Sequence, residues 1–497
     1  MAYLLLVAVF VPVLGAVVTT LVNNRRVAIL ASAISTGVSL AFLILAAALN
    51  DVLTSGADAA LELYNWWPLG TAGFRLDGLS LPFALVVSLL SFVIAFYSVP
   101  YMVHKFEEDH SERWGLYFVL YQLYYAGMLG AVLATNLVEF YVFFELMLIP
   151  SYFLIAEFGY GEKGRISFMY FVWTHIGALV MLAGLIYMGF SAGSFDLAAL
   201  SAQARLLPVV IQVYIAVALS VGLSVKMAAF GLHVWLPHAH AEAPTPISAL
   251  LSPAMIGIGG YALIRFMVIL LPGGYAVISP WLLLWGFLTI LYGGLMALAQ
   301  DDIKRLLAYS SVSQMGYIMV GIASVSAVGL GGASLQYVTH GLGKAVLFMV
   351  AGILIMQAGT RSINKLGGLA KRLPVTATLA LLGFLTIMGV PPTVGFISEF
   401  FIFQGSFATA AVTGSSLRFY LSLLATIASL LTFGYALWAM KRIFFGKLPD
   451  GLAQVKEPSK MALGPMVVLA VVSVVLGIYP FVIDRTVELL RAVVGGA

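Results

Sequence analysis

Fourteen apolar runs of about twenty residues or more, parted by short polar segments, divide this sequence from end to end. They fall near residues 3–22, 27–49, 79–101, 114–134, 137–158, 168–190, 208–240, 248–271, 279–299, 306–328, 333–358, 374–404, 416–441 and 461–481, and are called spans 1 to 14. Each is long enough, as a helix, to cross a hydrocarbon core about 30 Å thick. Two are interrupted. Span 7 runs through KMAAFGLHVWLPHAHAEAPTP (226–246), with its break expected at Pro237. Span 12 runs through MGVPPTVGFISEF (388–400), with its break at Gly389, Pro391, Pro392 and Gly395. Irregular backbone at membrane depth persists only where protein or a water-filled cavity surrounds it. The pattern predicts an all-α integral membrane protein occupying residues 1–497 as one membrane domain. The broken spans stand five segments apart, which predicts a repeat: spans 4–8 (114–271) and spans 9–13 (279–441). Five helices per copy make the two copies inverted, an arrangement that puts ion sites at broken helices near the midplane.

Composition agrees, with 62% hydrophobic and 9% charged residues in 497. The formal charge of +4 carries no implication of nucleic-acid binding, because the basic residues lie in short loops. Seventeen Lys and Arg fall on the odd-to-even loops and the span halves beside them, and six on the other side. The remaining two, Lys226 and Lys344, lie inside spans. Positive residues collect on the cytoplasmic side, so both termini are expected on the non-cytoplasmic side of a cell membrane. The first run has its arginines (Arg25, Arg26) after it, as in an uncleaved span rather than a signal peptide. There is no cysteine, which excludes disulfides, thiolate metal sites and cysteine-ligated iron–sulfur clusters. Any electron transfer must therefore occur on another subunit.

The buried ionisable residues carry the chemistry. Glu145 stands about nine residues into span 5, roughly 13 Å deep at the helical rise, and intramembrane acids default to function. Glu139, nearer the entrance, reads as interfacial. An ammonium at the depth of Lys226 costs about 2.5–3.5 kcal/mol on insertion scales, so something must hold it. A Glu145–Lys226 pair that forms and parts would load and release a proton. His233, seven residues on, returns to nearly the same helix face as a relay; His238 and His240 stand nearer the aqueous mouth. In span 11, His340 and Lys344 are one turn apart on one face. Lys344 is either a second carrier or the partner of a carboxylate on an adjacent helix. His175 in span 6 is either a relay or a histidine bonded to neighbouring backbone. Glu399 is the single charge of the second broken span. The Asp301, Asp302, Lys304, Arg305 cluster reads as a solvated helix cap. Gly257, Gly259 and Ala262 match a dinucleotide fingerprint only in spacing and, with no preceding strand, read as helix packing. No P-loop and no zinc spacing occurs, and the histidines make no metal set.

Glu145 within FYVFFELMLIPSYFLI, Lys226 with HVWLPHAHAEAPTP, AQDDIKRLLAYSSVSQMGY (299–317), HGL (340–342) and GVPPTVGFISEF (389–400) resemble the antiporter-like proton-pumping family. Its members are the M, L and N subunits of NADH-quinone oxidoreductase (complex I), the equivalent hydrogenase and methanophenazine or ferredoxin dehydrogenase subunits, and Mrp sodium/proton antiporter subunits. The likeness covers roughly residues 80 to 445. It implies that Glu145 and Lys226 form the ion pair and pumping lysine, and that Glu399 is the exit-side group. Glutamate at 399 resembles the M-type subunit, where L-type, N-type and Mrp relatives carry lysine. The chain stops about sixteen residues after span 14, too soon for the L-type lateral helix. Two departures stand out: Gly257 occupies the place of a central span-8 lysine, and Gln314 that of a span-10 histidine. Lys344, conversely, matches a lysine of L-type and Mrp relatives.

The resemblance implies an M-type proton-translocating membrane-arm subunit. It would be driven by redox chemistry on partners that hold the quinone, flavin and iron–sulfur clusters, with other antiporter-like and small membrane subunits and a peripheral redox arm beside it. The alternatives are an Mrp-type antiporter subunit, a hydrogenase membrane subunit, or a passive scaffold. If span 8 lacks its lysine, Lys344 is the remaining basic station between Lys226 and Glu399.

Overall fold

The computed structural model describes residues 3–22, 24–52, 58–481 and 483–494. Among these, fourteen helices are long and apolar enough to cross a membrane, and the chain is a multi-pass membrane protein. Every predicted span is present. Polar side chains set several starts: Asn24, Asn136 and Asp302 each accept backbone N–H groups of the first helical turn, before spans 2, 5 and 10. Gly193, Gly359 and Gly414, at positive φ, end spans 6, 11 and 12.

Burial is concentrated in spans 8 (Thr245–Val268), 10 (Ile303–Ala323) and 11 (Ala327–Ala358), whose apolar windows are 100%, 94% and 94% buried. The others surround these three and leave a lipid-facing side. Span 11 is the hub, packed against spans 3, 10, 12 and 14. Outside the spans lie an antiparallel hairpin, β1 (Ala59–Asn65) and β2 (Thr71–Leu76), a short helix Leu197–Gln203, and an amphipathic C-terminal helix Asp484–Val494.

Two backbone staples match one another. Leu137 N–H donates to Phe195 O (3.0 Å) and Leu197 N–H to Thr135 O (2.9 Å), tying the start of span 5 to the chain leaving span 6. Ile303 N–H donates to Arg361 O (3.0 Å) and Ile363 N–H to Asp301 O (2.7 Å), tying the start of span 10 to the chain leaving span 11. The four residues of each staple stand at the same intervals along the chain.

Span 7 breaks before the proline expected to break it. Its first half ends at Lys226 and its second runs Trp235–Glu242; between them Ala228 (φ 53°) and Gly231 (φ 88°) turn the chain left-handed. Pro237 sits in the first turn of the second half, where its missing N–H has no helical partner to lose. Span 12 is interrupted after Ile387 and resumes at Val394, as expected, with Pro391 and Pro392 exposed in the gap. Span 8 is irregular too, which the sequence did not signal to us. Its hydrogen bonding widens to the i→i+5 pattern at Leu251–Met255, around Pro253, and again at Leu263–Val268, around Arg265.

Candidate functional site

Glu145 and Lys226 are neighbours but not in contact as a pair. The Glu145 Oε2 atom is 3.0 Å from His175 Nδ1, while Oε1 has no partner. His175 therefore meets a carboxylate from span 5 rather than backbone, and its ring stacks on Phe171 one turn away. Lys226 is 1% exposed, and its ammonium has no hydrogen-bond partner. Its nearest support is the face of Phe144, 5.2 Å from Nζ to the ring centroid. The carbonyl of Val225, freed by the helix break, accepts from Trp235 Nε1 at 2.9 Å. Lys226 thus closes a half-helix with all three donors unspent.

The break takes His233 off the face of Lys226. It lies in the irregular segment, its ring 4.7 Å from that of Tyr292 and 6.3 Å from that of Tyr309, against spans 9 and 10. His238 is exposed. His240, expected nearer the aqueous mouth, is instead fully buried, stacked on Phe348 of span 11 (4.9 Å), and neither ring nitrogen has a partner. Position along a continuous helix was a poor guide because the helix turns back into the bundle.

Span 11 brings the second basic group to the centre. Lys344 is fully buried; its ammonium donates to Leu307 O at 3.0 Å and to Ser310 Oγ, both on span 10. Among the described residues no carboxylate meets it. His340 Nε2 lies 3.1 Å from Ser252 O and 3.4 Å from Ser252 Oγ, and Ser252 Oγ is 2.7 Å from Ser311 Oγ. Hydroxyls of spans 8 and 10 thus connect His340 to the turn that holds Lys344.

One turn further along span 10, a run of amides and hydroxyls leads to span 12. Gln314 donates to Ile387 O at the break (3.1 Å) and accepts from Gln336 Nε2 (2.6 Å). Gln336 accepts from Ser398 Oγ (2.6 Å), itself 2.9 Å from Thr339 Oγ1. Ser398 adjoins Glu399, whose Oε1 is unpartnered. The Glu399 carboxyl occupies the space a side chain at Gly389 would need: a Cβ there would come within 2.8 Å of it. Gly389, at φ 66°, serves both the turn and the carboxyl.

At Gly257, where the resemblance leads us to expect a lysine, span 11 closes the space. A Cβ on Gly257 would meet the Tyr337 ring at 2.1 Å, so span 11 fills that place with an aromatic side chain. Tyr337 donates to Ala254 O (3.0 Å) and stacks on Phe83 (4.4 Å). Tyr170 OH, 2.7 Å from Ser151 Oγ, and the unpartnered Tyr124 OH lie between this ring and Glu145. Tyrosine hydroxyls, rather than an amine, stand in the middle. Gly259 packs against Met227 and Leu223 of span 7, as helix packing requires.

Three further charged groups are buried by specific partners, and one of them departs from expectation. Glu139, near the entrance of span 5, is 5% exposed, accepting from Gly73 N–H (3.2 Å) and Thr135 N–H (3.1 Å), which joins β2 to span 5. Asp77 holds Arg265 of span 8 bidentately, at 2.7 Å to each oxygen. Burial alone would raise the Asp77 carboxyl, but the guanidinium of Arg265, joined by Arg75, outweighs that and holds it well below the usual carboxylate range. Asp302 caps span 10 as expected, yet Lys304 beside it is not solvated. It is fully buried, donating to Ala243 O (2.5 Å) and Ala241 O (3.4 Å) at the end of span 7. Among the described residues no group of three or more His, Asp or Glu side chains could hold a metal ion.

A family model described as NADH:quinone oxidoreductase/Mrp antiporter, TM, matches residues 134–425, and one described as NADH-Ubiquinone oxidoreductase (complex I), chain 5 N-terminus, matches residues 66–115. Subunit M of the F(420)H(2) dehydrogenase of Methanosarcina mazei is 32% identical, over 98% of this chain and 97% of that one. An NAD(P)H-quinone oxidoreductase chain 4 from Synechococcus is 33% identical, over 87% of this chain and 81% of its own. Among solved structures, a chain of respiratory complex I from Thermus thermophilus superposes with a TM-score of 0.85 at 26% identity, covering 99% of both chains. A chain of the Mrp complex from Dietzia shares the fold, with a TM-score of 0.85 at 22% identity over 99% of this chain and 97% of that one.

Proposed function

We propose that this chain, which belongs to the NADH:quinone oxidoreductase/Mrp antiporter transmembrane family, is an M-type proton-translocating subunit in the membrane arm of a complex I-like oxidoreductase. The observation that carries the reading is the set of buried ionisable groups: Glu145 with His175, Lys226, His340 with Lys344, and Glu399. Hydrogen bonds through Gln314, Gln336 and Ser398 run from span 10 to the residue before Glu399. Groups of this kind at membrane depth are costly to keep, and a chain of them is a proton path.

In this reading Lys226 and Lys344 are the two carriers, Glu145 tunes the first, and Glu399 releases the proton on the far side. The unpartnered Lys226 ammonium supports the separated state of the Glu145–Lys226 pair. The two matching staples and the two broken spans support inverted repeats of spans 4–8 and 9–13. The charge asymmetry of the loops supports termini on the non-cytoplasmic side of the cell membrane. Redox energy reaches the chain from partner subunits that carry the flavin, iron–sulfur clusters and quinone site, and moving one charge against 100 mV takes about 2.3 kcal/mol. The test is Lys226→Ala in the intact complex reconstituted in vesicles. Assembly persists and redox-driven proton uptake falls severely; near-normal pumping refutes the reading. One observation, Lys344 at the centre of span 11, favours a second reading as a cation/proton antiporter subunit, which sodium-coupled flux without any redox partner would reveal.

A further inference from the structure

Lys226 is the last residue of the first half of span 7. A lysine so placed ordinarily folds back on the carbonyls of its own last turn, where the helix dipole also favours a cation. Those carbonyls are occupied. Met227 N–H donates to Leu223 O (2.9 Å), Ala229 N–H to Ser224 O (3.0 Å) and Ala228 N–H to Val225 O (3.1 Å), a closure made by the left-handed Ala228. Trp235, the first residue of the second half, adds its Nε1–H to Val225 O at 2.9 Å, and so takes the second lone pair of the carbonyl next to Lys226. Indoles also take carbonyls inside the gap: Trp285 of span 9 donates to Phe230 O and Trp173 of span 6 to Leu232 O, both at 2.9 Å. The turn has no room to swing, because a Cβ on Gly177 of span 6 would meet Val225 at 2.5 Å and one on Gly259 of span 8 would meet Met227 at 2.6 Å.

The break in span 12 is closed by the same three bonds. Met388 N–H donates to Phe384 O (2.9 Å), Val390 N–H to Leu385 O (3.1 Å) and Gly389 N–H to Thr386 O (3.4 Å). Ile387 therefore stands where Lys226 does, and Phe396, at the interval that separates Trp235 from Lys226, stands where Trp235 does. The break that ends on a lysine has an indole donor; the break that ends on an isoleucine has a phenyl ring with nothing to donate. We propose that Trp235 is a positioning residue for Lys226: by occupying the Val225 carbonyl it keeps the ammonium from capping its own half-helix, and so leaves it free to bind and release a proton. The inference rests on the translocation reading above. Among the described residues the charged group facing Lys226 is Glu145 of span 5, which holds His175 of span 6 on Oε2; spans 8 and 9, packed on the same half-helix, bring no charge to it.

The experiment uses the intact complex in vesicles and two variants. Trp235→Phe reproduces the arrangement of the second break. Replacing Trp235 by β-(3-benzothienyl)alanine keeps the shape of tryptophan and puts sulfur where the N–H was; this variant decides if Trp235→Phe does not assemble. With an acceptor returned to it, the ammonium holds its proton to higher pH, and one hydrogen bond to a charged donor is enough to move the profile up by about one pH unit. Proton uptake per electron transferred should fall to about one-tenth at the parent's best pH, and return when the pH is raised by about one unit. A lost packing contact would instead lower uptake at every pH alike. An unchanged profile, a loss that raising the pH does not repair, or failed assembly of the benzothienyl variant overturns the assignment. If Lys226→Ala abolishes uptake at every pH in the same preparation, such a result leaves the translocation reading standing; if Lys226→Ala pumps normally, both fall.

Discussion

Replacing Lys344 by Met separates a carrier from a structural cation. Were Lys344 one half of a buried ion pair, removing it would strand a carboxylate at a cost of about 3–5 kcal/mol. Among the described residues there is no such carboxylate. The ammonium gives hydrogen bonds to Leu307 O and Ser310 Oγ, each worth about 1.5–3 kcal/mol to a charged donor. Against their loss stands the relief of several kcal/mol for a charge no longer buried. Met fills nearly the same volume, which keeps repacking below about 1.5 kcal/mol. No acceptor is orphaned, because Leu307 O still receives Ser310 Oγ and Ser311 Oγ, both at 2.9 Å. The opposing terms cancel to within about 2 kcal/mol in either direction, so the complex should assemble and melt close to its parent. Redox-driven acidification of vesicles, followed with a pH-sensitive dye, should fall to about one-hundredth. Normal pumping, or a loss of stability near the ion-pair figure with failed assembly, would refute the reasoning.

Asp77→Asn leaves the Arg265 guanidinium buried without its counter-charge and should cost about 3–5 kcal/mol, read as a lowered melting temperature in detergent. Because the folded Asp77 pKa is depressed, the pair's contribution is complete above the unfolded value of about 4. It fades as pH falls from there toward the folded value, an acid sensitivity that the variant should lack. Gly389→Ala forces a left-handed backbone on a side chain, about 1–2 kcal/mol, and drives its Cβ against Glu399; proton release should suffer more than assembly, and equal rates in variant and parent would count against the role given to that carboxyl. Gly257→Lys, which puts a lysine where the family resemblance leads us to expect one, should destabilise by about 1–3 kcal/mol or more by collision with Tyr337, whereas the double change with Tyr337→Ala should recover; a tolerated single change would show that the ring yields.

The number and order of the spans were legible because each must satisfy its own backbone in lipid, which leaves long apolar runs as the signature. The buried charges were legible for the related reason that ionisable residues are rare at that depth. What failed was inference from local sequence about a chain that bends. Pro237 looks like a breaker but sits in a first turn, and the left-handed Ala228 that makes the break has no compositional sign. Once the direction changes there, His233 leaves the face of Lys226 and His240 moves from the mouth to the middle. Lys304 follows an aspartate cap and so reads as solvated; its burial comes from the end of span 7, more than sixty positions away along the chain. The tyrosine that fills the place of Gly257 arrives from span 11 in the same way. Of the two glutamates of span 5, Glu145 bonds a histidine in place of its expected lysine, and Glu139 stays near the entrance with a pair of backbone donors.

The enclosure of span 8 bears on how the protein is made. Translation delivers this helix well before spans 10 and 11, two of the segments that shield it from lipid, and until they follow, its widened turns at Pro253 and Arg265 meet the bilayer with backbone groups that only the finished bundle surrounds. The first half of the chain therefore cannot mature by itself, however closely the second repeats it. Membrane insertases must hold the early helices loosely enough for later ones to slide between them and the lipid, so that the interior polar line is assembled last, by closure of the second half upon the first.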